Sequence, residues 1–123
     1  MQEDKPVYIE AFSYQQGLPS HLLESRAQCH VVDCRGLPNP WHRAGLRDLL
    51  GTDPRMLEYF MAEAPAKVEE LMTQASEAIG KGYTCILFGC VHGRHRSVAM
   101  SAEFQRRLCT QQQKEQGNTP TPI

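Results

Sequence analysis

The apolar run Cys85-Ile86-Leu87-Phe88 opens without a spacer into Gly-Cys-Val-His-Gly-Arg-His-Arg-Ser at positions 89–97. A strand that feeds at once into a loop of glycine, arginine and serine, and then into a helix-forming stretch, leaves few folds open. Its backbone N–H groups collect at the positive end of the helix, where an anion finds donors already in place. The segment predicts an oxyanion pocket, with phosphate as the ligand that suits it best.

The rest of the chain builds a sheet around that strand. Val7 to Tyr14 alternates and is rich in aromatic and β-branched residues before the turn cluster Gln15-Gln16-Gly17-Leu18-Pro19, which predicts a first strand. Cys29 to Cys34 contains His30-Val31-Val32 and is closed by Asp33-Cys34-Arg35-Gly36 and two prolines, Pro38 and Pro40; a second strand should end there, because proline does not suit a strand interior. Thr52-Asp53-Pro54 reads as the entry of a short helix with Leu57, Phe60 and Met61 on its apolar face. Pro65 starts a longer helix in which Val68, Leu71, Met72, Ala75 and Ile79 recur at helical spacing, ending at Gly80 and Gly82.

Tyr83 to Phe88 lacks alternation, as expected of a central parallel strand covered on both faces. A last helix runs from Ser97 to about Gln113, with Val98, Ala99, Ala102 and Phe104 in its buried half and Arg106, Arg107 and Lys114 beyond. There is no internal repeat. The alternation predicts an α/β fold, a three-layer domain with a small, mostly parallel sheet and an anion-binding strand-loop-helix. Residues 1–115 should form the domain and the polar, proline-containing residues 116–123 a loose tail. In such a sheet the ligand crevice lies outside the carboxyl ends of the strands, which brings Ser13, the Asp33 to Arg35 corner and the Cys90 loop to one edge.

Thirteen basic and fourteen acidic residues leave the chain near neutral, so the overall balance announces neither a nucleic-acid nor a membrane surface and any basic site must be local. No apolar stretch approaches the roughly 18 residues of a membrane span. Five cysteines, an odd number, and no apolar signal segment at Met1 to Pro6 fit the cytosol best.

Cys90 and Arg96 stand in the C-x5-R pattern of cysteine-dependent phosphatases, with Gly93 between them and Ser97 after. In that pattern the loop curls around a phosphoryl group, N–H groups and a bidentate arginine hold its oxygens, and the same field lowers the thiol pKa enough to make a nucleophile. Asp33 is the carboxylate at the same edge that a general acid would require. The competing reading is anion binding without chemistry, for which an arginine and a helix N-terminus suffice; Gly89 stands where phosphatases usually carry histidine, and binding is the reading favoured. Cys90, His92, His95 and His42 invite a metal site, but zinc usually draws paired ligands from two separated segments and only one such cluster is present. No metal and no cofactor is expected. One of these histidines better serves an anion or a sugar hydroxyl. Arg106, Arg107 and Lys114 read as a solvated helix face, with phosphate-backbone contact as the functional alternative.

Val32-Asp33-Cys34-Arg35-Gly36-Leu37-Pro38-Asn39-Pro40, Gly51-Thr52-Asp53 downstream, and Gly89-Cys90-Val91-His92-Gly93-Arg94-His95-Arg96-Ser97 together resemble the C-terminal domain of RapZ, the bacterial RNase adapter protein. Phe12-Ser13-Tyr14 with Gly17-Leu18-Pro19 looks like that domain's first strand and turn, and the similarity runs from about Val7 to Leu108. The resemblance implies an α/β domain whose loop pocket binds an amino-sugar phosphate or a related nucleotide sugar. In RapZ proteins it also binds a small RNA and delivers it to an endoribonuclease. Cys90, Val91, His92, Gly93, His95, Arg96 and Ser97 fall on the family loop, and Asp33, Arg35 and Asn39 on its second motif; Arg94 lies within the same loop.

Three departures go with the resemblance. No Gly-x4-Gly-Lys-Ser/Thr loop occurs in the sequence, so a free-standing C-terminal-like domain is expected and ATP hydrolysis is not implied. Trp41 follows Asn39-Pro40 where the family places a histidine or another aromatic, and His42 comes second. The family's basic tail is replaced by Gly117-Asn118-Thr119-Pro120. With Arg94, Arg106, Arg107 and Lys114 as the cations near the last helix, RNA binding should be weak and steeply salt-dependent, in the non-specific range of roughly 10⁻⁴ to 10⁻⁶ M, with homo-oligomerisation as the way to gather more charge. The leading expectation is a sensor or adapter that binds a phosphorylated small molecule and works through a partner protein.

Overall fold

Tyr8–Ser13 (β1), Cys29–Asp33 (β2) and Cys85–Cys90 (β3) form one sheet in the order β1-β3-β2, every pairing parallel. The computed structural model describes residues 7–18 and 28–115, with side chains through residue 111. Pro19 of the expected turn, the expected tail at 116–123 and the Lys114 side chain lie outside them. Tyr8 faces Cys85 and Ser13 faces Cys90 on one side of β3, while Cys29 faces Cys85 and Asp33 faces Gly89 on the other. This register ends all three strands on one line, so residues after Ser13, Asp33 and Cys90 must share an edge.

The central strand is buried at all six positions, as its unbroken apolar run predicts. Ile86, Phe88 and Cys90 join the larger cluster beneath the helices, and Cys85 and Leu87 pack with Phe12 on the opposite face. Both faces of β3 are therefore covered, and the domain is the three-layer α/β type. The strand lies two residues further along than its apolar run suggests, at Cys85–Cys90 rather than Tyr83 to Phe88. Pairing continues because the Gly89 carbonyl accepts from Cys34 N at 2.8 Å and the Cys90 carbonyl from Tyr14 N at 2.9 Å. Cys90 is thus the last residue of the strand and not a residue of the loop.

Pro54–Glu63 (α1) starts where the sequence predicts: the Asp53 side chain accepts from Arg55 N and Pro54 occupies the first turn. Met56 and Phe60, four apart, form its buried stripe. Leu57 is only partly buried and Met61 is exposed, so the expected face was set one residue too far along. Pro65–Gly80 (α2) buries Val68, Leu71, Met72, Ala75 and Ala78, with Ile79 at the margin, and packs on β2.

Arg96–Glu115 (α3) packs on β1 and β3. Met100 and Phe104 are buried and Leu108 flanks them, a line of residues four apart that fixes the helix phase. Ala102 falls on the far side and is exposed, against expectation, whereas Ala99 and Phe104 are buried as expected. The arginines also depart from a simple solvated face. The Glu103 carboxylate, 4% exposed, accepts from Arg106 Nη2 at 2.7 Å and Arg107 Nε at 2.6 Å, and Arg107 reaches on to Glu69 of α2. The two arginines are neutralised, and Arg107 straps α2 to α3.

This network makes a testable contribution. Hydrogen bonds from the Arg106 side chain, opposed by burial and aided by Arg107, hold the Glu103 carboxyl below its ordinary value of 4.5. A carboxyl lowered on folding stabilises fully above its unfolded pKa and loses that contribution as pH falls through the folded one. Since Arg106 is largely exposed and screened, Glu103→Gln should cost only about 1 kcal/mol near neutral pH. Urea midpoints of the two proteins should converge in acid.

Candidate anion-binding site

The site is built where β3 gives way to α3. Five residues, Val91 to His95, connect the two, and the His95 carbonyl accepts the first helical bond from Ala99 N at 2.9 Å. The helix N-terminus is capped by sulfur. Cys90 Sγ accepts from Ser97 N at 3.4 Å, and the Ser97 hydroxyl lies 3.2 Å from it. Burial pushes this thiol up, but hydrogen bonds from the Ser97 side chain and from the backbone N–H groups of Ser97, Gly93 and Arg94 outweigh it, so the thiol titrates below its ordinary value. Cys90 Sγ therefore sits against the first turn of α3, at the positive end of a helix, where backbone N–H groups favour an anion.

Two glycines let the loop take this shape. Gly93 has φ of +66°, a left-handed conformation, and a Cβ there would lie 3.0 Å from the backbone nitrogen of Ser13. The loop thus lies directly against the end of β1, held there by Ser13 Oγ donating to Val91 O at 2.7 Å and by Gln15 N donating to the same carbonyl at 3.2 Å. At Gly89 a Cβ would stand 2.6 Å from the Phe12 ring and 2.8 Å from Tyr14. The aromatic pair Phe12 and Tyr14 occupies the space that a histidine side chain would need.

Arg96 is 8% exposed, and its Nη1 donates to Arg35 O at 3.0 Å and Leu37 O at 3.3 Å. It ties the loop to the chain following β2. Both bonds leave from Nη1, so the Nε and Nη2 edge of the guanidinium is not used by them.

Asp33 and Arg35 close the site from the β2 side. Arg35 grips Asp33 in bidentate fashion, Nε to Oδ1 at 3.0 Å and Nη2 to Oδ2 at 2.8 Å, and its guanidinium lies 3.9 Å over the Tyr14 ring. Hydrogen bonding from the Arg35 side chain, with backbone and charge contributions from the same residue, holds the Asp33 carboxyl below its ordinary range.

The remaining residues predicted for the site divide by role. Val91, His92 and Arg94 are exposed on the loop, and His92 Nδ1 is 3.1 Å from Gln15 Oε1. His95 is buried, with Nε2 3.1 Å from Leu49 O; burial is the main reason its pKa is lowered, so the ring stays neutral. Asn39 accepts from Trp41 N at 3.0 Å and caps a 3-10 turn, Pro40–His42, on which His42 is exposed. The three histidines thus have separate surroundings. Among the described residues no group of three or more His, Cys, Asp and Glu side chains is placed to hold a metal ion.

Tyr14 and Gln15, read in the sequence only as the end of a strand and the start of a turn, complete the β1 side of the site. The signal was their position directly after Ser13, at a strand's carboxyl end. Leu49, the acceptor for His95, had no such signal, because a backbone carbonyl carries no side-chain identity.

A profile of the RapZ C-terminal domain matches residues 5–119. The chain belongs to the RapZ C-terminal domain family. Its relatives in that family include proteins named nucleotide-binding protein from Anaeromyxobacter dehalogenans, 36% identical over 110 residues, and from Roseobacter denitrificans, 38% identical over 110 residues. Each alignment covers 83% of this chain and 35% of the relative. A relative with the same name from Bifidobacterium longum is 34% identical over 83% of this chain and 32% of its own length. The chain spans about a third of the length of the curated relatives it matches. Within the match lie the segments on which the resemblance rests, Val32 to Pro40, Gly51-Thr52-Asp53 and Gly89 to Ser97.

Proposed function

We propose that this chain is a binding domain for a phosphorylated small molecule, an amino-sugar phosphate or a related nucleotide sugar, acting as a sensor or adapter. What carries the reading is the short loop after β3, turned by Gly93 at φ +66°, that leads straight into the N-terminus of α3 beside a buried Arg96. The names of the relatives point to a phosphate-bearing ligand as well. The phosphoryl group takes the N–H groups of the loop and the Nε and Nη2 edge of Arg96. His92, Arg94 and the Asp33 to Arg35 corner stand at the same sheet edge for the rest of the ligand. Contact with RNA and with a partner protein, self-association and a cytoplasmic location belong to the same family-level reading; with Arg106 and Arg107 paired to carboxylates, Arg94 is the exposed loop cation for RNA. Calorimetry with glucosamine phosphate, glucosamine and inorganic phosphate tests it. Binding of the phosphorylated sugar and its displacement by inorganic phosphate support the reading, whereas equal binding of both sugars contradicts it.

A phosphatase is the second reading, favoured by the lowered Cys90 thiol. Against it, Asp33 is held ionised by Arg35 and has no proton to donate near neutral pH. Cys90 is also only 2% exposed. The expected result is slow alkylation by iodoacetamide and no turnover of an aryl phosphate. Robust turnover abolished in Cys90→Ser would replace the binding reading with the enzymatic one.

A further inference from the structure

Beyond ligand binding, Cys90 has a neighbour that the anion site does not use. Cys34 is fully buried and lies in the same side-chain cluster as Cys90. The pairing of β2 with β3 brings the two together. Asp33 is the register partner of Gly89, and Cys34 N donates to Gly89 O at 2.8 Å, so Cys34 and Cys90 are the next residues in step on neighbouring chains. Both side chains point to the helix-covered face. Adjacent strands lie about 4.8 Å apart, inside the roughly 4.4 to 6.8 Å between Cα atoms that a disulfide spans. After burial, a charge on Cys90 is the largest influence raising the pKa of Cys34.

We propose that Cys90 and Cys34 form an intramolecular disulfide when the protein meets a hydroperoxide, and that the bond shuts the anion loop. The proposal rests on the phosphate reading only for its second half. Cys90, whose sulfur accepts from Ser97 N at the N-terminus of α3, is the attacking thiolate, and Cys34, in step beside it, resolves the sulfenic acid by passing its proton to the leaving oxygen as its sulfur attacks. The Cys90 thiolate attacks one peroxide oxygen, the O–O bond breaks, and the second oxygen leaves as hydroxide, which takes a proton to become water. Cys34 sulfur then attacks the Cys90 sulfenic sulfur, the S–O bond breaks, and the oxygen leaves with the Cys34 proton as a second water. Two thiols lose two electrons and one peroxide gains them. With the Cys90 sulfur drawn towards β2, Ser97 N loses the acceptor that caps α3 and the loop is pulled towards β2, out of the shape in which its N–H groups can receive a phosphoryl group. A second register pair, Cys29 and Cys85, at the other end of the same strands and in thiol contact, provides an internal comparison.

The test uses the whole chain, reduced and then treated with hydrogen peroxide, unfolded in urea so that the buried thiols are reached, blocked with iodoacetamide, digested and mapped by mass spectrometry. A linked peptide pair containing Cys34 and Cys90 is expected, reversed by dithiothreitol, with Cys90 in Cys34→Ser oxidised further to sulfinate instead. Recovery of both thiols alkylated, a sulfinate at Cys90 in the parent, or a link confined to Cys29 and Cys85 would overturn the proposal. Calorimetry with inorganic phosphate on reduced, oxidised and re-reduced protein reads the second half: binding should vanish and return. Unchanged binding in the linked protein overturns the closure, and absence of binding in the reduced protein removes the phosphate reading while the linkage stands on the peptide map alone.

Discussion

Arg96→Ala should weaken phosphate binding on the order of a hundredfold and lower stability as well. The affinity loss follows from removing a charge-assisted partner from a site where water competes poorly. The stability loss follows from the other end of the guanidinium, because Arg35 O and Leu37 O lose the Nη1 donor that now satisfies them. A buried carbonyl left unpaired costs about 1–3 kcal/mol. Arg96→Lys separates the two effects. It keeps the charge but has no planar fork with which to hold two carbonyls and an anion together, so it should recover part of the affinity and little of the specificity. Calorimetry with inorganic phosphate and urea denaturation of the three proteins measure both.

Gly93→Val should be more damaging still. The backbone there is left-handed, which costs a residue with Cβ about 1–2 kcal/mol, and branching at Cβ drives atoms into Ser13, already 3.0 Å from a Cβ at this position. With an overpacking cost of about 1–3 kcal/mol added, a loss of about 3 kcal/mol is expected. The loop must then lift away from β1, carrying the Gly93 and Arg94 N–H groups with it. Urea denaturation should show the destabilisation, and phosphate binding should be undetectable in protein that still folds.

The sheet was legible in the sequence because β3 signals its own burial. A strand covered on both faces has no polar alternation, and Cys85 to Phe88 shows none. Helix starts were legible at Asp53-Pro54 and at Pro65, where the capping chemistry is local. Helix phase was less so: Met56 and Met61 are equally apolar, and only tertiary packing decides which is buried. The same holds for Ala102, too small to declare a face, and for Glu103, whose burial depends on arginines one turn away. That Ser13, Asp33 and Cys90 share one edge was legible, because the ends of paired strands determine neighbourhood. Their partners were not legible. Arg96 bonding to two carbonyls, Asp33 committed to Arg35 and His95 turned to Leu49 O are choices of side-chain direction, which spacing does not encode.

On the proposed function, the loop N–H groups after β3 hold a phosphoryl group. Backbone amide NMR during a titration with inorganic phosphate tests it most directly, since each donor reports separately. Saturable shifts concentrated at Gly93, Arg94 and Ser97 are expected, abolished in Arg96→Ala. Saturable shifts confined to another part of the chain, or none at these three amides, would contradict it.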